Sequence, residues 1–124
     1  MKKILLSINP EFVEQILNRT KKFEYRTRVA KQDIKAILVY CTYPTKKVVA
    51  RVLIKNILCD TPENLWNLTY QYSGITKEYF YKYFKNRKLA YAYELGEVIE
   101  YKRPKSLEEF GIHYAPQSYV YVGV

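Results

Sequence analysis

The 124-residue sequence predicts one α+β domain, in which a curved sheet or open barrel has helices packed at its side. The order of the elements is the first reason: a β-α unit, several strands, two helices, and then strands again. The second is the apolar segment at residues 48–59, which is long and has a mixed outer face, as in a small barrel that bends around itself. The third is a hydrophobic content of 48%, enough to form a core.

The first half of the chain contains one helix and four strands in this prediction. Residues 3–8 form the first strand. Asn9-Pro10 then starts a helix, because Asn caps helices and Pro fits their first turn. A stripe of apolar residues at helical spacing continues to Asn18. Three further strands are predicted at residues 23–28, 34–42 and 48–59.

The second half begins with two helices. Thr61-Pro62 and Thr76 are start signals for a short helix around Trp66 and for a helix over residues 77–84. Two strands, 89–94 and 98–101, are predicted on either side of a turn at Gly96. Ser106 to Glu109 matches a capping box, and the last strand spans residues 119–124.

Composition narrows the class of partner. The 21 basic and 12 acidic residues give a net charge of +9, which favours nucleic acid over an acidic membrane surface. No apolar run has the length of a membrane span, and Asn9-Pro10-Glu11 interrupts the apolar start, so we predict a cytoplasmic protein that binds no membrane. With one histidine and no Cys-x-x-Cys spacing, neither a metal nor a cofactor is predicted, and Cys41 and Cys59 are interpreted as buried, reduced thiols.

The segment from Thr20 to Arg28 is the main functional signal. Alternation along a strand would place Glu24, Arg26 and Arg28 on one face. A carboxylate between guanidinium groups orients them rather than acting as a general base, because nearby positive charge favours its ionised form. The planar donor fork of arginine suits phosphates and base edges. The segment therefore predicts a site for an anionic or hydrogen-bonding ligand.

Together with the strand that ends in Tyr40-Cys41-Thr42-Tyr43-Pro44, this segment resembles the ASCH domain, a relative of the PUA RNA-binding fold. The hallmark of that family is Gly-x-Lys-x-x-Glu-x-Arg. Lys21, Glu24 and Arg26 match it, whereas Arg19 stands in place of the glycine. Residues 88–93 and 115–121 are also similar to the family. The resemblance implies a PUA-like small β-barrel over residues 1–124, whose cleft is lined by the hallmark residues and binds RNA or a nucleotide-like ligand, with a possible regulatory role.

Roles for individual residues follow from this interpretation. Lys21 and Arg26 would meet phosphate or base acceptors, while Glu24 fixes Arg26 or accepts a hydrogen bond from a base amino group. Basic loop residues would contact phosphates, and polar residues before the last strand would reach a base edge. The candidate ligand-binding residues are Lys21, Glu24, Arg26, Arg28, Thr42, Lys46, Lys47, Gln117 and Ser118.

Enzymatic functions remain open. One branch of the family resembles amidohydrolases that act on an acetylated cytidine through a Lys-activated Thr. Lys21 matches that lysine, but Glu24 stands where the branch has Thr. A second branch cleaves RNA. Lys21 and Glu24 are the candidate catalytic residues, whereas His113, the only histidine, is interpreted as a surface residue because no partner for it is visible.

A protein-interaction module with a tyrosine-rich surface is the third alternative. The aromatic and basic run at residues 78–88 bears instead on nucleic-acid binding, since aromatic rings can hold unstacked bases and basic side chains can contact the backbone. Phe80 and Phe84 share a helical stripe and are predicted to be core residues. The solvent face of that run is predicted to carry Tyr81, Lys82, Lys85, Arg87 and Lys88.

Overall fold

The computed structural model describes residues 2–123. Its strands are β1 (Lys3–Ile8), β2 (Phe23–Arg26), β3 (Ala36–Cys41), β4 (Lys47–Asp60), β5 (Ala90–Lys105) and β6 (Tyr119–Val122). Its helices are α1 (Pro10–Leu17), α2 (Pro62–Thr69) and α3 (Lys77–Tyr83), with short 3₁₀ turns at Tyr70–Tyr72 and Leu107–Phe110. The α+β class, the helix starts at Asn9, Thr61 and Thr76, and the capping box at Ser106 are confirmed.

The six strands form one mixed, curled sheet in the order β2-β5-β4-β3-β1-β6. Strands β1 and β3 are parallel, and the other neighbouring pairs are antiparallel. The long strands β4 and β5 pair through three register shifts, which increase the local twist and bend the sheet. Because of this bend, the first half of β5 also pairs with β2 at the edge of the sheet.

The prediction of two strands separated by a turn at Gly96 was wrong. Residues 90–105 form one continuous strand, and Gly96 lies inside it. A Cβ atom at Gly96 would lie 3.1 Å from Lys55 Cγ and 3.3 Å from the Leu53 carbonyl oxygen. The glycine therefore permits close approach of a neighbouring strand at an irregular point of the ladder, a role that sequence alone does not distinguish from a turn.

Two apolar clusters position the functional region. The larger lies between α1, through Val13 and Ile16, and the sheet. The second joins α2 and α3 to β2 and β5 and includes Phe80 and Phe84, which confirms their prediction as core residues. Cys41 is buried as predicted, whereas Cys59 is exposed because it lies on the outer face near the end of β4. In the part of the chain that the structure describes, no helix has the length and apolar character to cross a bilayer.

The turn after α1 keeps its tight backbone although glycine is absent. Arg19 has a φ of 70°, whereas Asn18 has a φ of −88°, so Arg19 itself adopts the left-handed conformation at the glycine position of the hallmark. The amides of Thr20 and Lys21 both donate to the Gln15 carbonyl oxygen, at 3.0 and 3.1 Å. These bonds hold a conformation that costs a residue with a side chain about 1–3 kcal/mol.

Arg19→Gly is therefore expected to raise the free energy of unfolding by about 0.5–1 kcal/mol, since the relief of strain exceeds the entropic cost of glycine. The substitution removes one exposed hydrogen bond of the Arg19 side chain, from Nη2 to the Val98 carbonyl oxygen at 3.3 Å. Urea unfolding measures the change. Asn18→Gly is the matched control and should destabilise the protein, because it relieves no strain and removes the Oδ1 atom that accepts from Thr20. Equal destabilisation by both substitutions would contradict the assignment of strain to Arg19.

Candidate functional site

A cavity of about 190 Å³ opens where the end of β1, the start of α1, strand β2 and helix α3 meet. Lys21, Glu24 and Arg26 all line it, so the fold brings the three hallmark residues to one hollow. The chain achieves this because the turn at Arg19 directs it from α1 straight into β2. The complete lining consists of Ser7, Ile8, Asn9, Phe12, Lys21, Glu24, Tyr25, Arg26, Ile75, Tyr79 and Tyr83.

Glu24 and Arg26 form a largely buried ion pair on the wall of this cavity. Glu24 Oε2 accepts from Arg26 Nη2 at 2.8 Å and from Arg26 Nε at 3.2 Å. The two side chains are 7% and 15% exposed. Nη2 also donates to the Ser7 carbonyl oxygen at 3.1 Å, which ties the edge strand β2 to β1. These bonds fix the guanidinium plane and involve neither hydrogen on Nη1.

The second carboxylate oxygen of Glu24 differs from Oε2 in its hydrogen bonding. Oε1 is buried and has no hydrogen-bond partner within residues 2–123. A buried acceptor without a donor is uncommon in folded proteins and costs about 1–3 kcal/mol, more when it is charged. This oxygen is therefore an acceptor available to a donor on a ligand.

Lys21 is 3% exposed, which is unusual for a lysine. Its Nζ donates to the Ser73 carbonyl oxygen at 2.5 Å. The same atom lies 5.0 Å from the centre of the Tyr25 ring and 5.1 Å from that of Phe12. Burial lowers the pKa of Lys21, Glu24 opposes this shift, and Arg26 adds to it. Because burial lowers this pKa, a larger fraction of Lys21 is in the neutral amine form at a given pH than for a surface lysine.

The titration of Lys21 predicts a pH-dependent stability. Between its lowered folded pKa and the ordinary value of 10.5, the unfolded chain binds more protons at this residue, so its contribution to stability rises with pH. Lys21→Met removes this titration. The free energy of unfolding of the unsubstituted protein, measured in urea, should rise relative to that of Lys21→Met as the pH approaches 10.5. A difference between the unsubstituted protein and Lys21→Met that does not change with pH would contradict the burial effect.

Tyr25 supports the same wall from the second apolar cluster. Its hydroxyl lies 2.7 Å from Thr69 Oγ1, and Thr69 donates its own hydroxyl hydrogen to the Leu65 carbonyl oxygen at 2.7 Å. Tyr25 is therefore the donor to Thr69, because a hydroxyl has only one hydrogen. Burial raises the pKa of Tyr25 to about 12. The residue thus stays neutral and rigid beside the lysine.

The loop at Ser73-Gly74 holds Lys21 in place. Gly74 has a φ of +72°, and a Cβ atom there would overlap Gln15 Oε1 and lie 2.9 Å from Lys21 Cβ and Cδ. The backbone can lie against the lysine stem only because this residue is glycine. The sequence around Ser73-Gly74 gives no signal of this contact, because Gln15 and Lys21 lie more than 50 residues away along the chain.

The other sequence-predicted residues lie elsewhere. Strand β2 ends at Arg26, and the chain bends at the next two residues, so the expected continuation of the strand to Arg28 was wrong. Arg28 and Ser118 line a second, larger concavity of about 900 Å³. Thr42 lies beside the first cavity, since its amide donates to the Ile8 carbonyl oxygen at 3.1 Å, but it lines neither hollow. Three further candidates are exposed and also line neither: Lys46, Lys47 and Gln117.

Tyr79 and Tyr83 of α3 are among the cavity residues that sequence reasoning missed. They belong to the helical stripe of Phe80 and Phe84, which predicted a core-facing side. Both are in fact partly exposed, at 46% and 39%. The available signal was their position at the edge of the stripe, four residues apart, where a hydroxyl can reach the boundary of a core. Within residues 2–123, no group of three His, Cys, Asp or Glu side chains is arranged to hold a metal ion.

The fold of the chain has counterparts among solved structures. The ASCH protein of Zymomonas mobilis superimposes with a TM-score of 0.86 at 23% identity, covering 96% of this chain and 86% of that one. A point mutant of it gives a TM-score of 0.87 at 23% identity, with 98% and 90% covered. The chain therefore has the fold of that ASCH protein, an α+β small barrel, and the predicted resemblance in fold is confirmed. No family model matches the chain.

Two curated sequence relatives match at 25–26% identity. "ASCH domain-containing ribonuclease" of Zymomonas mobilis is 26% identical over 97 residues, which cover 77% of this chain and 66% of the relative. "Large ribosomal subunit protein uL22" of Ureaplasma parvum serovar 3 is 25% identical over 121 residues, which cover 96% of this chain. The chain spans 39% of the length of that ribosomal protein and just under two thirds of the ribonuclease.

Proposed function

We propose that this chain is an RNA-directed ASCH domain that binds RNA, or a nucleotide-like ligand, in the cavity lined by Lys21, Glu24 and Arg26. The observation that supports the proposal is that Glu24 Oε1, beside an oriented guanidinium, has no hydrogen-bond partner among residues 2–123. An acceptor next to a donor matches the edge of a nucleobase, on which an amino donor adjoins an acceptor. Unpaired bases offer that edge, whereas a duplex hides it.

The size and lining of the cavity fit this ligand. Sites for drug-sized molecules have volumes of about 300–1,000 Å³. The observed 190 Å³ suits one base, with its sugar and phosphate outside. The rings of Tyr79 and Tyr83 lie on the wall, and stacking of a base on an aromatic ring contributes about 1–3 kcal/mol. The net charge of +9 adds attraction for the backbone that does not depend on sequence.

The named relative supports the same class of ligand. The Zymomonas mobilis protein that matches in sequence is called a ribonuclease, so its substrate is RNA. The match covers 77% of this chain at 26% identity. The chemical argument therefore rests on the hallmark positions Lys21, Glu24 and Arg26.

Glu24→Gln tests the proposal, because the amide keeps the shape of the side chain but replaces a charged acceptor. Fluorescence anisotropy with single-stranded RNA over a range of salt concentrations should show about 5- to 150-fold weaker binding, since one base-edge contact contributes about 1–3 kcal/mol. The salt dependence should stay the same, because no phosphate contact is lost. Glu108→Gln removes an equal charge from an exposed turn and serves as the control. Equal affinities of the two variants would contradict the proposed site.

A second candidate function is RNA cleavage, favoured by the ribonuclease name of the relative and by the buried Lys21 amine with its lowered pKa. An amine of this kind can transfer a proton or stabilise developing negative charge. Incubation with short RNAs and with N4-acetylcytidine separates the enzymatic alternatives from binding alone. Turnover that disappears in Lys21→Met would establish an enzyme, whereas binding without turnover of either compound would exclude both reactions.

A further inference from the structure

The second concavity adjoins the first cavity at the end of β2. Arg26 lines the first, and the next two residues, Thr27 and Arg28, line the second. The opposite wall of the second concavity comes from β6, through Tyr119 and Tyr121. The two hollows therefore meet at consecutive residues of one segment, and a single extended ligand can occupy both.

The charge of this concavity has one sign. Arg28 and Lys31 are the charged side chains on its lining, and no carboxylate of the described residues lines it. Both cations are exposed, and neither forms a salt bridge within residues 2–123. A concave surface with only cations attracts an anionic group more strongly than a flat surface does.

Tyr121 organises the wall. Its hydroxyl oxygen accepts hydrogen bonds from the amides of Lys31 and Gln32, at 3.0 and 3.2 Å. With both lone pairs used, the Tyr121 hydroxyl can act only as a donor. The two bonds also hold the loop that carries Lys31 against β6. Tyr119 packs edge to face on Tyr121, with ring centres 5.5 Å apart, and gives the concavity an aromatic side.

We propose that this concavity holds the nucleotide next to the one whose base occupies the first cavity, with Arg28 and Lys31 at the connecting phosphate. The proposal rests on the proposed function and makes it more specific. The ligand is a single-stranded RNA of at least two nucleotides rather than a free nucleoside or a duplex. The aromatic side, Tyr119 and Tyr121, lies beside the second base, and the first cavity keeps its own contacts.

The test compares ligands of increasing length. Calorimetry with nucleoside 5′-monophosphates and anisotropy with labelled single-stranded RNAs of two to six nucleotides should show that affinity rises at the step from one nucleotide to two. The double variant Arg28→Ala with Lys31→Ala should lose most of this rise at the second nucleotide. For the RNAs, it should reduce the slope of log affinity against log salt by about 1.4. Between about 50 and 200 mM salt, the unsubstituted protein would then lose about sevenfold more affinity than the variant.

The matched control is Lys102→Ala with Arg103→Ala, which removes the same two charge types from exposed positions that line neither hollow. Equal losses in the two double variants would overturn the inference, since bulk charge would then explain the effect. Equal affinity for monophosphates and for longer RNAs would also overturn it and would leave the proposed function intact. If the unsubstituted protein bound neither kind of ligand, both proposals would fall.

Discussion

Arg26→Ala is expected to lower the free energy of unfolding by about 3 kcal/mol, because it leaves a buried carboxylate without a donor. Glu24 Oε2 loses both of its hydrogen bonds, and Oε1 has no partner in the described chain to compensate. The Ser7 carbonyl oxygen also loses its bond from Nη2 at the junction of β1 and β2. We take the lower end of the range for buried pairs because Arg26 keeps 15% of its side-chain surface in solvent. Urea unfolding at neutral pH measures the loss.

A double variant separates the orphaned charge from lost packing. Glu24→Leu combined with Arg26→Met removes both charges and keeps apolar volume, so most of the stability should return. Neither Arg26→Ala nor the double variant should bind RNA as the unsubstituted protein does, since both lack the oriented guanidinium. If the double variant were as unstable as Arg26→Ala, the uncompensated carboxylate would not be the cause.

Gly74→Ala is expected to destabilise the protein by about 2–5 kcal/mol. The left-handed backbone, with φ of +72°, costs a residue with a side chain about 1–2 kcal/mol. Overlap with Gln15 Oε1 and the approach of 2.9 Å to Lys21 Cβ and Cδ add the cost of overpacking, about 1–3 kcal/mol. Since the new methyl group displaces the stem of Lys21, binding of RNA should weaken as well. Chemical unfolding and anisotropy on the same preparation measure the two effects.

The chain provides a matched control at Gly111. Its φ is +74°, nearly identical to that of Gly74, but a Cβ atom there would have no neighbour within 4 Å. Gly111→Ala should therefore cost only the backbone term, about 1–2 kcal/mol, and should leave RNA binding unchanged. The difference between the two variants measures the packing of the loop against Lys21. Equal losses at both positions would show that this packing contributes nothing.

Local signals explain why much of the fold was predictable. Asn9-Pro10, Thr61-Pro62 and Thr76 act within one helical turn, so the starts of α1, α2 and α3 followed from neighbouring residues. The alternating and apolar runs of β1, β3, β4 and β6 were recognised for the same reason, because side-chain period is a local property. Gly96 was misinterpreted because a turn and a close strand contact both favour glycine, and only the partner strand distinguishes them.

By itself, the sequence determined which polar side chains follow the turn after α1 and lie before or within β2: Lys21, Glu24 and Arg26. Only the tertiary structure decided that Lys21 is buried against the Ser73-Gly74 loop. It also decided that one oxygen of Glu24 has no donor among residues 2–123, and that two tyrosines of α3 complete the cavity. Burial and unsatisfied hydrogen bonds depend on segments about 50 residues apart along the chain, as for Lys21 and Ser73. A periodic pattern records the face on which a residue lies, but it carries no information about what packs against that face.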